Sequence, residues 1–255
     1  MRYIEYGKEH NDIILLIHGG GLCWWNYQAA AAKLSINYHV ILPIIDGHAG
    51  SDTDFTSIED CATSIIQWIQ ENQNGHVLMI GGLSLGAQIT LEMLAQKPSI
   101  CQYALIESAN VMPSKLINGM IKPMFQSCYG LLQHKWFAKL QFQFLRLPEA
   151  LFENYFKDTC EISKANYIAF TQASTMYSLK DTTKSTSARI HIFVGEKEYL
   201  GMHKSAKIIH EKLHGSSLRI LLKMYHGEFS IKYNEDYVKT IIEILNNPTK
   251  EQSAI

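Results

Sequence analysis

The sequence predicts an α/β chain: a mostly parallel central sheet flanked by helices, with a helical segment inserted near the middle. Three observations predict it. Short apolar runs alternate with stretches of helical periodicity. The runs are apolar throughout rather than alternating, which marks strands covered on both faces, as in a parallel sheet. The rhythm then breaks between about residues 111 and 184, where no buried strand is evident.

The expected strands are residues 13–17, 39–43, 76–80, 103–106, 190–194 and 218–222. Between them, Ile58, Cys61, Ala62, Ile65, Ile66 and Ile69 recur at helical spacing, with Thr56 and Glu59 as a capping box ahead of them. Residues 85–95 read as a helix that stops before Lys97 and Pro98. Ala206, Ile209 and Leu213 mark another, followed by Gly215. Val238, Ile241, Ile242 and Leu245 mark the last, closed by Asn246, Asn247 and Pro248. Strand–helix alternation with right-handed crossovers yields one α/β domain over residues 1–255. The aromatic-rich segment 111–184 is expected as a helical cap, its rings packing internally or facing a substrate.

Composition narrows the function. The net charge is −1, so the chain as a whole carries no basic field for nucleic acid or an anionic membrane. No apolar run reaches the ~20 residues that span a bilayer, and the first residues lack a signal-peptide pattern. The expectation is a cytoplasmic protein without a stable membrane anchor. Cys23, Cys61, Cys101, Cys128 and Cys160 form no CxxC pair, so a disulfide framework or cysteine metal site is not expected.

Gly82-Leu83-Ser84-Leu85-Gly86 is a G-x-S-x-G pattern. Alone it is a weak signal. Here it follows an apolar run and opens a helix, the setting in which a serine on a tight turn stands clear of a sheet as a nucleophile. Gly82 and Gly86 leave room for that turn. The bland alternative is a serine that merely caps the helix. Upstream, His18-Gly19-Gly20-Gly21 follows the first strand, and glycines there let backbone N–H groups approach a developing oxyanion. The expected donors are the amide of Leu85 and that of Gly20 or Gly21. A dinucleotide or phosphate turn lacks its spacing here. His18 reads as a structural hydrogen-bonder. Trp24 and Trp25 could wall an acyl pocket or pack in the core.

A serine nucleophile needs a base, and the base an acid. His226, in a loop past the last strand-like run, fits the base in the chain order nucleophile–acid–histidine. His203, His210 and His214 read as surface residues. Asp158 and Asp181 are the aspartates between Ser84 and His226, and both fall in the inserted segment. The acid is therefore expected to be a glutamate: Glu198, with Glu196 and Glu107 as rivals.

Together these motifs resemble the α/β-hydrolase family, in its branch with a small helical cap. His18-Gly19 is similar to the family's HG turn, and Asp46 to Ser51 to its D-x-x-G-x-G-x-S loop, imperfectly spaced. Gly82 to Gly86 resembles the nucleophile elbow, Gly195-x-x-Glu198 the acid turn, and Tyr225-His226-Gly227 the histidine loop. Glutamate stands where aspartate is commoner. The resemblance implies hydrolysis of an ester or related acyl bond on a small substrate with an apolar part, with no metal or organic cofactor. A carbon–carbon hydrolase or lyase on the same residues, with Arg146 or Arg189 holding a substrate carboxylate, is the alternative enzyme. A non-catalytic ligand-binding protein is the alternative class.

Overall fold

A computed structural model describes residues 1–246. Seven strands form one sheet: β1 (Tyr3–Tyr6), β2 (Ile13–Ile17), β3 (His39–Pro43), β4 (Val77–Leu83), β5 (Cys101–Glu107), β6 (Arg189–Gly195) and β7 (Ser217–Leu221). Their order is β1-β3-β2-β4-β5-β6-β7. Every pairing is parallel except that of β1 with β3. The sequence pattern missed β1, whose four residues are all half-buried and carry no continuous apolar run. β4 also runs three residues beyond the expected end, because Gly81, Gly82 and Leu83 continue the ladder against β5.

Helices cover both faces. α1 (Gln28–Leu34), α2 (Ile58–Asn72) and α3 (Leu85–Gln96) fall between the early strands. Four helices lie between β5 and β6: α4 (Lys115–Leu132), α5 (Lys135–Phe144), α6 (Phe152–Glu161) and α7 (Lys164–Met176). α8 (Leu200–Lys212), α9 (Glu228–Ile231) and α10 (Asn234–Asn246) follow. Alternate residues of β2 serve opposite cores. Ile13, Leu15 and Ile17 pack with α2, α3 and α8. Ile14 and Leu16 pack with α1 and α10. That two-sided burial explains the unbroken apolar runs in the sequence.

The cap of α2 differs from expectation. Ser57 is the N-cap, and its hydroxyl accepts the amide of Asp60. Thr56 donates to the Asp60 carboxylate, and Glu59 pairs with Lys180 instead of closing a box. Gly215 follows α8 with φ +79°, as its position in the sequence suggests. Asn247 and Pro248, expected to close the last helix, lie outside the described residues.

β2 and β4 are neighbours although β3 separates them in sequence. The direction in which strands are added reverses between them, and the carboxyl ends at such a point open a crevice. Ile17 pairs with Gly82 in register, which sets the turn after β2 directly beside the turn after β4.

Candidate active site

Ser84 stands between β4 and α3 with φ +54° and ψ −112°. A non-glycine residue held there is strained by about 1–3 kcal/mol, and the surroundings enforce it. A methyl on Gly82 would run into the backbone of Gly86, and one on Gly86 into the carbonyls of Ile17 and His18. The amide of Ser84 donates to the Glu107 carbonyl at 2.9 Å. The turn is thus clamped between β2 and β5, and α3 points its positive end toward the serine.

The turn after β2 is shaped by two histidines. His18 is fully buried; its Nδ1 bonds the Gly19 carbonyl at 2.9 Å and its Nε2 accepts the Ile45 amide at 3.1 Å. Burial, with the neighbouring His48, pushes its pKa down to about 3. It is a neutral structural ring, as its chain position suggests. His48 Nε2 accepts the Gly21 amide at 3.0 Å while its Nδ1 bonds the Asp46 carbonyl. Of the two glycine amides expected as alternatives, that of Gly21 is engaged by His48. A Cβ added to Gly20 would meet the Leu85 side chain at 3.5–3.6 Å. The sequence offered no sign of His48's part, since the Asp46 loop carried no chemistry there.

His226 follows β7, in a loop turned by Gly227 at φ +72°. The buried Glu228 pins this loop by accepting the Tyr225 amide at 2.8 Å. Of the three candidate carboxylates, Glu198 bonds the ring: its Oε2 lies 2.7 Å from His226 Nδ1. Its other oxygen accepts the Gly195 amide and the Ser108 hydroxyl, each at 2.7 Å. Its side chain is 1 % exposed. Burial drives the Glu198 pKa up, but His226, Ser108 and the Gly195 amide outweigh it and hold it below the usual value. The ring shows the mirror image. Desolvation pulls His226 down, and the bond to and charge of Glu198, with Glu107, carry it above the usual value. Ser108, itself at φ +55°, had no motif to reveal it.

The rivals are occupied otherwise. Glu196 accepts the Lys223 amide at 2.8 Å. Glu107 is buried at the end of β5, where Ser230 N–H reaches it at 3.4 Å. Burial pushes its pKa up to about 7.

Ser84, Glu198 and His226 line one cavity of about 1160 Å³. Its walls are largely apolar: Met112, Ile117, Leu140, Phe144 and Leu145 come from the segment between β5 and β6, and Tyr199 and Met202 from the α8 side. Arg146 also lines it, with its guanidinium 3.8 Å from the Tyr225 ring centre. Arg189, at the opposite end of β6, does not.

Trp24 and Trp25 are absent from that wall, against expectation. Trp25 is buried in the core and donates its indole N–H to Asp158 of α6 at 2.6 Å, and Trp24 packs beside it. Both lie under the cap as packing. Most cap aromatics also pack on one another, as in Phe125–Tyr167 and Phe142–Phe152. Phe144 is the one that joins the cavity wall.

A family model described as the alpha/beta hydrolase family matches residues 14–199, from β2 through the turn that bears Glu198. The chain belongs to the alpha/beta hydrolase family. Solved structures agree on the fold. The enol-lactonase from Burkholderia xenovorans LB400 superposes with a TM-score of 0.79 at 14 % identity, covering 96 % of each chain. The esterase EaEST from Exiguobacterium antarcticum gives 0.79 at 18 %, covering 96 % of this chain and 94 % of its own. MenH from S. aureus gives 0.75 at 16 %, covering 96 % and 97 %. No curated protein matches the chain. Among the described residues no helix is long and apolar enough to cross a membrane.

Proposed function

We propose that this alpha/beta hydrolase is a serine esterase acting through an acyl-enzyme, with Ser84 as nucleophile, His226 as general base and Glu198 as the acid that orients it. One observation carries the reading: a strained serine opens into the same cavity as a histidine whose far nitrogen is held at 2.7 Å by a buried carboxylate. A carboxylate in that position fixes the ring's tautomer and stabilises its charged form. His226 then takes the Ser84 proton as the oxygen attacks a carbonyl. The amides of Leu85 and Gly20 stabilise the oxyanion, a contribution of about 3–4 kcal/mol per donor where one has been removed in other enzymes. The alcohol leaves with the proton from His226, and water activated by the same ring releases the acid. No step calls on a metal or organic cofactor. The apolar wall favours an acyl group with a hydrocarbon part.

The test is a panel of p-nitrophenyl esters of rising acyl length, with wild type and Ser84→Ala. The reading expects hydrolysis by wild type and a loss of at least about 10³-fold in the variant. Equal rates for the two proteins would remove Ser84 from the mechanism.

Arg146 at the cavity wall supports a second reading, a substrate that bears a carboxylate, including one cleaved at a carbon–carbon bond. Arg146→Ala would then raise KM for acid-bearing substrates and leave neutral esters unaffected.

A further inference from the structure

α4 is an 18-residue helix in which only Ile121 and Leu132 are buried. Leu116, Ile117, Met120, Met124 and Leu131 are exposed, by 79, 57, 65, 50 and 37 % respectively. At helical spacing they fall within an arc of about 100°, so they form one outward stripe. α5 repeats the pattern. Trp136, Leu140 and Phe144, four residues apart, are 65, 60 and 86 % exposed. Ile117, Leu140 and Phe144 belong at once to these outer faces and to the cavity wall. Tyr199, also a wall residue, and Leu200 continue the apolar rim on the other bank, 60 and 68 % exposed. An exposed apolar surface this continuous marks a contact site.

Its charge identifies the partner. From Ser108 to Pro148 the chain contains no aspartate or glutamate, while Lys115, Lys122, Lys135, Lys139 and Arg146 all fall there. Lys135 and Lys139 pair with Glu153 and Glu149. Among the described residues Lys115 and Lys122 carry no ion pair. A net charge of −1 for the whole chain thus conceals a cationic cap. Helices with Trp, Phe and Leu on one face and lysines on the other lie in the headgroup layer of anionic bilayers, and at helical spacing Lys115 and Lys122 fall on the side of α4 away from the stripe, roughly 150–170° from its centre.

We propose that the outer face of α4 and α5 docks on an anionic lipid surface and holds the cavity mouth against it. The association is peripheral and needs no anchor. The consequence for substrate, an acyl lipid entering the cavity from that surface, rests on the serine-hydrolase reading; the docking does not.

Vesicle flotation tests it, with phosphatidylcholine alone and phosphatidylcholine mixed with phosphatidylglycerol. Wild type is expected to float with the mixed vesicles and far less with the neutral ones. Lys115→Glu/Lys122→Glu should weaken binding to mixed vesicles by about tenfold or more. Met120→Ser/Met124→Ser/Trp136→Ser, at exposed positions away from the cavity wall, should abolish flotation. Both variants should hydrolyse water-soluble p-nitrophenyl acetate as wild type does, and circular dichroism checks their folding independently. Ser84→Ala should float like wild type. Wild type that stays in solution with either vesicle, or variants that float equally well, would overturn the proposal. So would a wild-type dimer that the serine variant converts to monomer, because a second copy would then occupy the face. Absence of ester hydrolysis in a wild type that floats would remove the serine-hydrolase reading and leave the docking intact.

Discussion

Gly82 and Gly86, at the carboxyl edge of the sheet, have no room for a methyl group; Gly119 and Gly130, on α4 of the cap, have nothing within 4 Å of where one would sit. The two regions are built to different tolerances. At the sheet edge, strand register fixes the backbone of β2, β4 and β5, and a positive-φ serine is held between them. Across the cavity, α4 leans on its neighbours through few buried side chains and shows an apolar stripe outward. The difference teaches where each task sits. Chemistry that depends on sub-ångström placement rests on the packed edge, while the cap supplies wall and rim that can vary without disturbing it.

The sharpest way to break this contrast is Gly86→Ala. The added methyl meets the Ile17 and His18 carbonyls, so we expect a loss of about 4 kcal/mol or more, read as insoluble expression or a collapsed denaturant midpoint. A near-native midpoint would show that the edge yields as easily as the cap. Glu198→Gln should leave the fold intact and lower kcat/KM by about 10³–10⁴-fold. Because Glu198 raises the His226 pKa, the acid limb of the rate profile should also move to lower pH in this variant. The same loss in Glu107→Gln but not Glu198→Gln would reassign the acid.

Glu107→Gln probes the edge through stability instead. The folded pKa of Glu107, about 7 against an ordinary 4.5, means the folded chain keeps a proton that the unfolded chain releases between those values. Stability is therefore lost as pH rises through that window. The glutamine variant escapes the loss and should exceed wild type above it by on the order of 3 kcal/mol. Below the window the two should unfold together. Parallel curves at every pH would contradict a buried, protonated Glu107. The smallest effect belongs to the cap: Gly119→Ala should stabilise by up to about 1 kcal/mol through helix propensity, with ester hydrolysis unchanged.

The same contrast decides how much could be read beforehand. Five of the parallel strands, β2 to β6, announce themselves because burial on both faces demands unbroken apolar runs; β7, at the sheet edge with only Leu221 buried, is read from its apolar residues alone. The elbow is legible because its glycines have no substitute. The pairing of Glu198 with His226 matches the order expected along the chain, and of the three carboxylates named from the sequence Glu198 is the one that bonds the ring, at 2.7 Å. What escaped depends on contacts between distant segments. Ser108 and His48 act through single hydrogen bonds from residues 90 and 27 positions away, with no local pattern. β1 is too short and half-exposed to signal itself. Trp24 and Trp25 sat beside the right loop yet serve the core, because proximity in sequence says nothing of which way a ring turns.

The most direct measurement of the central claim is covalent labelling with a fluorophosphonate, followed by peptide mass analysis of the folded protein. We predict one adduct, on Ser84, that is absent in Ser84→Ala and forms more slowly in His226→Ala. Folded wild type that takes no label, or takes it on another serine, would contradict the assignment of Ser84 as the nucleophile.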